Sequence, residues 1–315
     1  MKALLTLLAV SAILLGCNAI TDPGPEDPLV PDRVLQLVEN TYDNPQNIIF
    51  TEILEKRIWN VEFESRAKRY SSIVSPDNIK VSYWLVGPHI PDSLKAMMNT
   101  SAVEGGTFSN FKEEEYISFR NFSYEKAYLA DYIWKEKSYQ LKWVASFRGG
   151  QKLVYDLDMS SSILQFPTAD LVDLPLALKQ YFQKKEFNFL RATVCIDSHS
   201  EKSYQVWLSK NNYDFQLIFD KDCNLVAGSD QPVRIDDVRE LPENIKTFIN
   251  NGNQNKDFGF EVKIGGIGMS ELDGVKSYAV TLQKLNAPSD NTDTWYILFD
   301  QNAKPLLSNY YCTLR

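Results

Sequence analysis

Histidine is nearly absent from this chain of 315 residues. His89 and His199 are the only two, too few for a multi-histidine metal centre and poorly placed for a Ser-His-Asp relay. His89 falls in the linker Gly87-Pro88-His89 and His199 in an expected hairpin turn, so both read as exposed loop residues. Serine stands three residues before lysine at Ser65/Lys68, Ser109/Lys112 and Ser123/Lys126, the spacing of a lysine-assisted serine nucleophile. The Ser-Asp-Asn and Lys-Thr-Gly partners that complete such a site are missing. Gly265-Gly266-Ile267-Gly268 follows a strand pattern without opening a helix or offering a Lys-Ser/Thr step, and reads as a turn or bulge rather than a phosphate cradle. Acid pairs at Asp156/Asp158 and Asp236-Asp237 lack the alternating ligands of a calcium loop. No catalytic residue, metal ligand or cofactor is expected, although carboxylates brought together only by folding are invisible to spacing.

One residue does carry a chemical signature. Lys2, the apolar run Ala3 to Leu15 and the closing Leu14-Leu15-Gly16-Cys17 form a targeting segment, shorter than the roughly 20 residues of a spanning helix. Its ending resembles the lipobox of bacterial lipoproteins. That resemblance implies removal of residues 1–16, lipidation of Cys17 and contact with the membrane through the lipid alone. Several acyl chains, at about 0.8 kcal/mol per buried methylene, make such an anchor lasting. Residues 17–29, with Pro23, Pro25 and Pro28 among Asp22, Glu26 and Asp27, read as a stiff acidic tether. Asn18 after the cysteine favours an outer-membrane address in the cell envelope.

Export into an oxidising compartment leaves Cys195, Cys223 and Cys312, which allow at most one disulfide and no Cys-x-x-Cys redox pair. They read as buried or incidental thiols. The composition, 44% hydrophobic, supports packed cores, and 41 acidic against 33 basic residues argue against a nucleic-acid partner.

The elements that must position these residues recur. A proline-led phrase opens four segments: Val30-Pro31-Asp32-Arg33-Val34, Ile90-Pro91-Asp92-Ser93-Leu94, Leu174-Pro175-Leu176-Ala177-Leu178 and Leu241-Pro242-Glu243-Asn244-Ile245. Apolar residues continue at helical spacing, with proline at the first helical position. Downstream, Trp59 to Phe63, Tyr139 to Trp143, Tyr204 to Leu208 and Tyr278 to Leu282 alternate aromatic, other, apolar, other, apolar, the pattern of a strand with one face buried. Apolar strand then gives way to a polar turn at Phe219-Asp220 and Phe299-Asp300, with Ser75-Pro76 in the corresponding place of the first copy. The predicted class is α+β, tandem repeats of one helix packed on a three- to four-stranded antiparallel sheet. Boundaries fall at 30–88, 89–168, 172–230 and 239–315. Such a unit is near the lower size limit for a core of its own, so neighbouring units are expected to share a sheet or pack their helices together. Glu113-Glu114-Glu115 reads as a solvated loop.

Leu174 to Lys179, Tyr204 to Leu208 and Leu217 to Asn224 together resemble the PepSY-like, or β-lactamase-inhibitor-protein-like, repeats of exported bacterial proteins. Cys223 and Ala303 stand where those repeats have a turn glycine, so that turn is expected to differ locally. The resemblance implies a sheet with helices on one face and the other face available for an exported protein partner. Trp207 has the opposite parity from Tyr204, Val206 and Leu208, so its indole either points to the open face, where tryptophan is a favoured interface anchor, or packs against a neighbouring repeat. Lys142, Glu62 and Thr281 hold aligned places and mark that face as wet. The favoured function is a non-enzymatic envelope lipoprotein with a protein-binding or inhibitory surface. An enzyme or small-ligand carrier with a site between repeat pairs, and a purely structural envelope role, stay open.

Overall fold

In the computed structural model, which describes residues 31–99, 101–117, 126–148, 152–251, 260–284 and 293–314, each proline-led phrase opens a helix one residue later than expected. The proline carbonyl accepts the first helical hydrogen bond, from Val34, Leu94, Leu178 or Ile245 N–H at 2.8 to 3.2 Å. Residues 1–16, Cys17, the tether and Ser123 lie outside the described residues. Each helix buries a pair at i and i+4: Val34/Val38, Leu94/Met98, Leu178/Phe182 and Ile245/Ile249. No helix among the described residues is long and apolar enough to cross a membrane.

Helix α1 (Asp32–Thr41) leads into strands β1 (Gln46–Leu54), β2 (Ile58–Ser65), β3 (Lys68–Val74) and β4 (Ile79–Gly87). Helix α2 (Asp92–Met98) precedes β5 (Thr107–Ile117), β6 (Lys126–Trp134), β7 (Lys137–Arg148), β8 (Lys152–Ser160) and β9 (Ser162–Thr168). Helix α3 (Leu176–Lys185) precedes β10 (Asn188–Asp197), β11 (Lys202–Lys210), β12 (Tyr213–Phe219), β13 (Leu225–Gly228) and β14 (Val233–Ile235). Helix α4 (Glu243–Asn251) precedes β15 (Phe260–Leu272), β16 (Val275–Lys284), β17 (Thr294–Asp300) and β18 (Pro305–Leu314).

The predicted α+β class is overturned. The chain is a mostly antiparallel β protein, and thirteen of its strands form one sheet in the order β1 to β8, then β18, β17, β16, β15 and β14. The remaining five form a second sheet, β13-β12-β11-β10-β9. A four-stranded meander leaves two rows of unpaired backbone groups at its edges. Pairing β4 with β5 and β8 with β18 satisfies them and merges what would have been separate modules into one ladder. Helices of seven to ten residues are too short to cover sheets of that breadth.

Alternation along β2, β7, β11 and β16 then decides what is buried. Trp59, Val61 and Phe63 pack against α1, while Leu141, Trp143, Val280 and Leu282 join Leu94, Met98, Ile245 and Ile249 under α2 and α4. On the small sheet, Val194, Tyr204, Val206 and Leu208 pack against Leu178 and Phe182 of α3. The same core takes in Ile58, Val81 and Tyr83 of the large sheet. Ile218 and Ala227, on the other face of the small sheet, meet Leu298 of β17. The large sheet thus folds around the free edge of β9, covering part of both faces of the smaller one.

The turns at Asp220 and Asp300 share one geometry. Asp220 Oδ1 accepts from Asp222 and Asn224 N–H at 3.0 and 2.8 Å, and Asp300 Oδ1 from Asn302 and Lys304 N–H at 2.8 Å each. Asp197 builds a third copy with His199 and Glu201. Cys223, Ala303 and Ser200 carry the left-handed backbone, with φ of 65°, 63° and 63°. The aspartate clamp fixes the loop, so a non-glycine residue is held there at a penalty of about 1–2 kcal/mol. Gly265 and Gly266 lie within β15 at a register shift between Val262 and Ile267, a bulge rather than a loop.

Candidate functional site

The groups singled out for chemistry in the sequence stay apart. Ser65 donates to the Asp43 carbonyl at 2.8 Å, and Lys68 pairs with Glu115 at 3.0 Å. Ser109 is exposed, whereas Lys112 lies 4.6 Å from the centre of the Tyr83 ring. Lys126 pairs with Glu113 at 3.0 Å. His89 and His199 are both exposed. Cys195 and Cys312 are buried free thiols, each pushed up to about 12 chiefly by burial, and Cys223 is also free.

Of the two settings expected for Trp207, an open sheet face or packing against a neighbouring unit, its surroundings are nearer the second. Its neighbours Val206 and Leu208 do face α3, and Trp207 points the other way, but there it is half-buried beneath its cross-strand partner Arg191. The guanidinium carbon lies 4.5 Å from the ring centre, a cation–π contact. Together they form one wall of a cavity of about 220 Å³ between the two sheets, beside β9.

The opposite wall belongs to the large sheet. Along β7, Leu141 and Trp143 turn into the core, so Gln140 and Lys142 turn toward the cavity; along β8, Leu157 and Met159 go inward and Asp158 and Ser160 outward. Lys142 and Asp158 are directly opposed across the ladder, as are Asp158 and Tyr311 of β18. Glu114 of β5 reaches the same place and accepts an ion pair from Lys142 Nζ at 2.8 Å. Its side chain is 1% exposed, so the supposed solvated loop is a strand with a buried carboxylate. Lys142, expected on a wet face, is only 25% exposed.

Asp158 is the unbalanced member. Although the residue is partly accessible, its Oδ1 is sealed from solvent and has no hydrogen-bond donor among the described residues. Burial pushes its carboxyl up to about 6, against the charge of Lys142 and a hydrogen bond with Tyr311. The charge of Asp158, followed by burial, raises the Tyr311 phenol in turn. Gln140 and Gln165 are oriented by their amides: Gln140 donates to the Ile163 carbonyl at 2.6 Å and Gln165 to Ser160 Oγ at 2.7 Å. The site offers fixed charges of both signs, an aromatic plate and amide groups within a narrow cleft. Such an arrangement can hold a small polar molecule by charge and shape.

A second, wider cleft of about 940 Å³ runs along the turns at Asp197, Asp220 and Asp300. Its aspartates are committed to backbone N–H groups of their own turns. Among the described residues, no group of three or more His, Cys, Asp or Glu side chains is placed to hold a metal ion.

No protein-family model matches the chain, and no curated protein matches it in sequence.

Sequence spacing missed Glu114, Lys142, Asp158 and Arg191 because they come from four strands of two sheets. A signal was nonetheless present. Asp158 alternates with Leu157 and Met159, and Lys142 with Leu141 and Trp143, so both charges sit on strands whose other face is strongly apolar.

Proposed function

We propose that this chain is an exported envelope lipoprotein, anchored through Cys17 and addressed to the outer membrane, whose folded body binds a small polar ligand without transforming it. The observation that carries the reading is the cavity between the sheets, where Asp158 and the Lys142–Glu114 pair face the Arg191–Trp207 stack. Burying charge is costly unless a partner compensates it. Ser160, the cavity's hydroxyl beside Asp158, is held by Ser162 N–H and Gln165 rather than by a base, which favours holding over catalysis.

The test is thermal unfolding of the full chain, purified in detergent, against a panel of small polar metabolites, with Trp207→Ala in parallel. A compound that raises the melting temperature of the wild type and not of the variant supports the reading. Shifts of equal size in both would remove the seam from consideration.

A second reading, docking of another exported protein, has its own observation. Val172, in the short turn Leu171–Asp173 before α3, and Leu176, the first residue of α3, are 61% and 60% exposed, and Leu171 beside Val172 is exposed as well. Clustered exposed apolar side chains of this kind mark contact surfaces. Loss of a specific envelope partner on Leu176→Asp, with Trp207→Ala unaffected, would favour this reading over the seam.

A further inference from the structure

We propose that the end of the molecule carrying Leu171, Val172 and Leu176 rests on the lipid surface to which Cys17 anchors the chain, these side chains entering a zwitterionic phospholipid headgroup layer. This rests on the lipoprotein reading above and goes beyond it. The targeting signature implies contact through the lipid alone, whereas here the folded body makes a contact of its own, and the apolar patch is assigned to lipid rather than to a protein partner.

Strand pairing gathers several turns at this end. Trp59 pairs with Val74, so the β1–β2 and β3–β4 turns lie at the same end of the large sheet, and Tyr204 pairs with Phe219, which does the same for the β10–β11 and β12–β13 turns of the small one. Arg57 of the β1–β2 turn donates to the Leu174 carbonyl just before α3, and a cleft of about 660 Å³ brings Lys56 and Arg57 together with Leu176, Ser200 and Asp222. The chain enters at this end too. Arg33, in the first turn of α1, lies 3.8 Å from Asp77 of the β3–β4 turn. The next residue, Asn78, donates at 3.0 Å to Asp170, which immediately precedes Leu171. Residues 18–30 alone separate Cys17 from Pro31, and they span at most about 45 Å when fully extended. A lipid on Cys17 therefore keeps the patch near the bilayer at an effective concentration on the order of millimolar, so a weak contact is enough to fix which end faces the membrane.

Charge decides the kind of lipid. Exposed aliphatic side chains of this sort are buried at the boundary between headgroups and acyl chains. The rim around Leu176 is of mixed sign, with Lys56, Arg57 and Lys202 beside Glu55 and Asp222. Lys221 and Asp173 in the same cleft are already paired, with Glu201 and Lys80. A zwitterionic headgroup offers phosphate to the three cations and ammonium to the two carboxylates. The whole chain has 41 acidic against 33 basic residues, so a strongly anionic surface would repel it.

The test places the full lipidated chain in vesicles of phosphatidylethanolamine and phosphatidylcholine, with an environment-sensitive fluorophore on Leu176→Cys or, as control, on Tyr213→Cys. Both carry Cys223→Ser, since Cys195 and Cys312 are buried. Tyr213 is exposed and pairs with Lys210 at the other end of β11, roughly 25 Å from Lys202 at about 3.3 Å per residue. Nitroxide-labelled phospholipid should quench the label at 176 at least about threefold more than that at 213, as follows when one end alone sits about 5–10 Å deep at the acyl boundary. Val172→Asp should reduce the quenching at 176, with melting temperatures confirming that the variants fold. Flotation with the vesicles reports the anchor separately. A chain that floats with both labels quenched equally, or neither, keeps the lipoprotein reading and overturns the contact. A label at 176 that shifts to the blue without lipid quenching is covered by protein, which also overturns it. Quenching that appears only after anionic lipid is added would overturn the zwitterionic assignment. A chain that does not float overturns both readings.

Discussion

Two lysines are drawn into the region where the sheets meet, and their surroundings differ. Lys80 of β4 is 1% exposed and lies 2.5 Å from Asp173 and 2.9 Å from Asp170, with Thr168 donating to Asp173 and Asn78 to Asp170. This cluster joins β4 to the segment between β9 and α3 and fills its space with protein. Lys142 also has two acidic neighbours, Glu114 and Asp158, but one oxygen of Asp158 has no donor among the described residues and the cluster borders a cavity. Similar ingredients thus make a clamp in one place and an incomplete site in the other. What separates them is whether the hydrogen-bond inventory closes within the chain.

The contrast extends to pH, with opposite signs. Hydrogen bonding to Lys80 lowers the Asp170 carboxyl. Its contribution to stability is therefore full above the unfolded value and lost as pH falls through the folded one. Asp158 is raised to about 6. Between about 4 and 6 the folded protein holds a proton that the unfolded chain has released, so stability falls as pH rises through that window.

Lys80→Met should have the largest effect, about 3–5 kcal/mol of lost stability by urea unfolding, because it leaves the buried Asp173 without its cation. A loss below about 1 kcal/mol would show that the cluster is no clamp. Lys142→Met should lose less, about 1–3 kcal/mol, since the cavity lets water reach what the lysine leaves. Equal losses in the two variants would erase the distinction between a closed and an open cluster. Asp158→Asn should stabilise the unliganded protein near neutral pH by up to about 2 kcal/mol and flatten its stability between about pH 4 and 6. Destabilisation at neutral pH would mean that the carboxylate is already compensated. Thr168→Val should have the smallest effect, about 1 kcal/mol, by removing one donor to Asp173.

Much of the local structure was legible. The prolines marked the helix starts to within one residue, and period-two alternation located β2, β7, β11 and β16, because both signals depend on neighbouring residues alone. The turns were placed as well, but reading Cys223 and Ala303 as departures from glycine missed that the Asp220 and Asp300 side chains impose the left-handed backbone. The site was legible only by halves. Trp207 was assigned to the correct face of its strand, yet what stands across from it depends on sheet packing and not on strand parity.

By itself the sequence determined helix starts, strand faces, turn positions and the signature at Cys17, all consequences of spacing within a few residues. The tertiary structure decided that β4 joins β5 and β8 joins β18, so that three of the four expected modules merge into a thirteen-stranded sheet while most of the third stays in a sheet of five, because backbone edges pair with whatever edge packing brings alongside. It alone brought Glu114, Lys142 and Asp158 opposite Arg191 and Trp207. Charges from distant strands become neighbours when two sheets enclose them, and only the enclosure gives them their electrostatic strength.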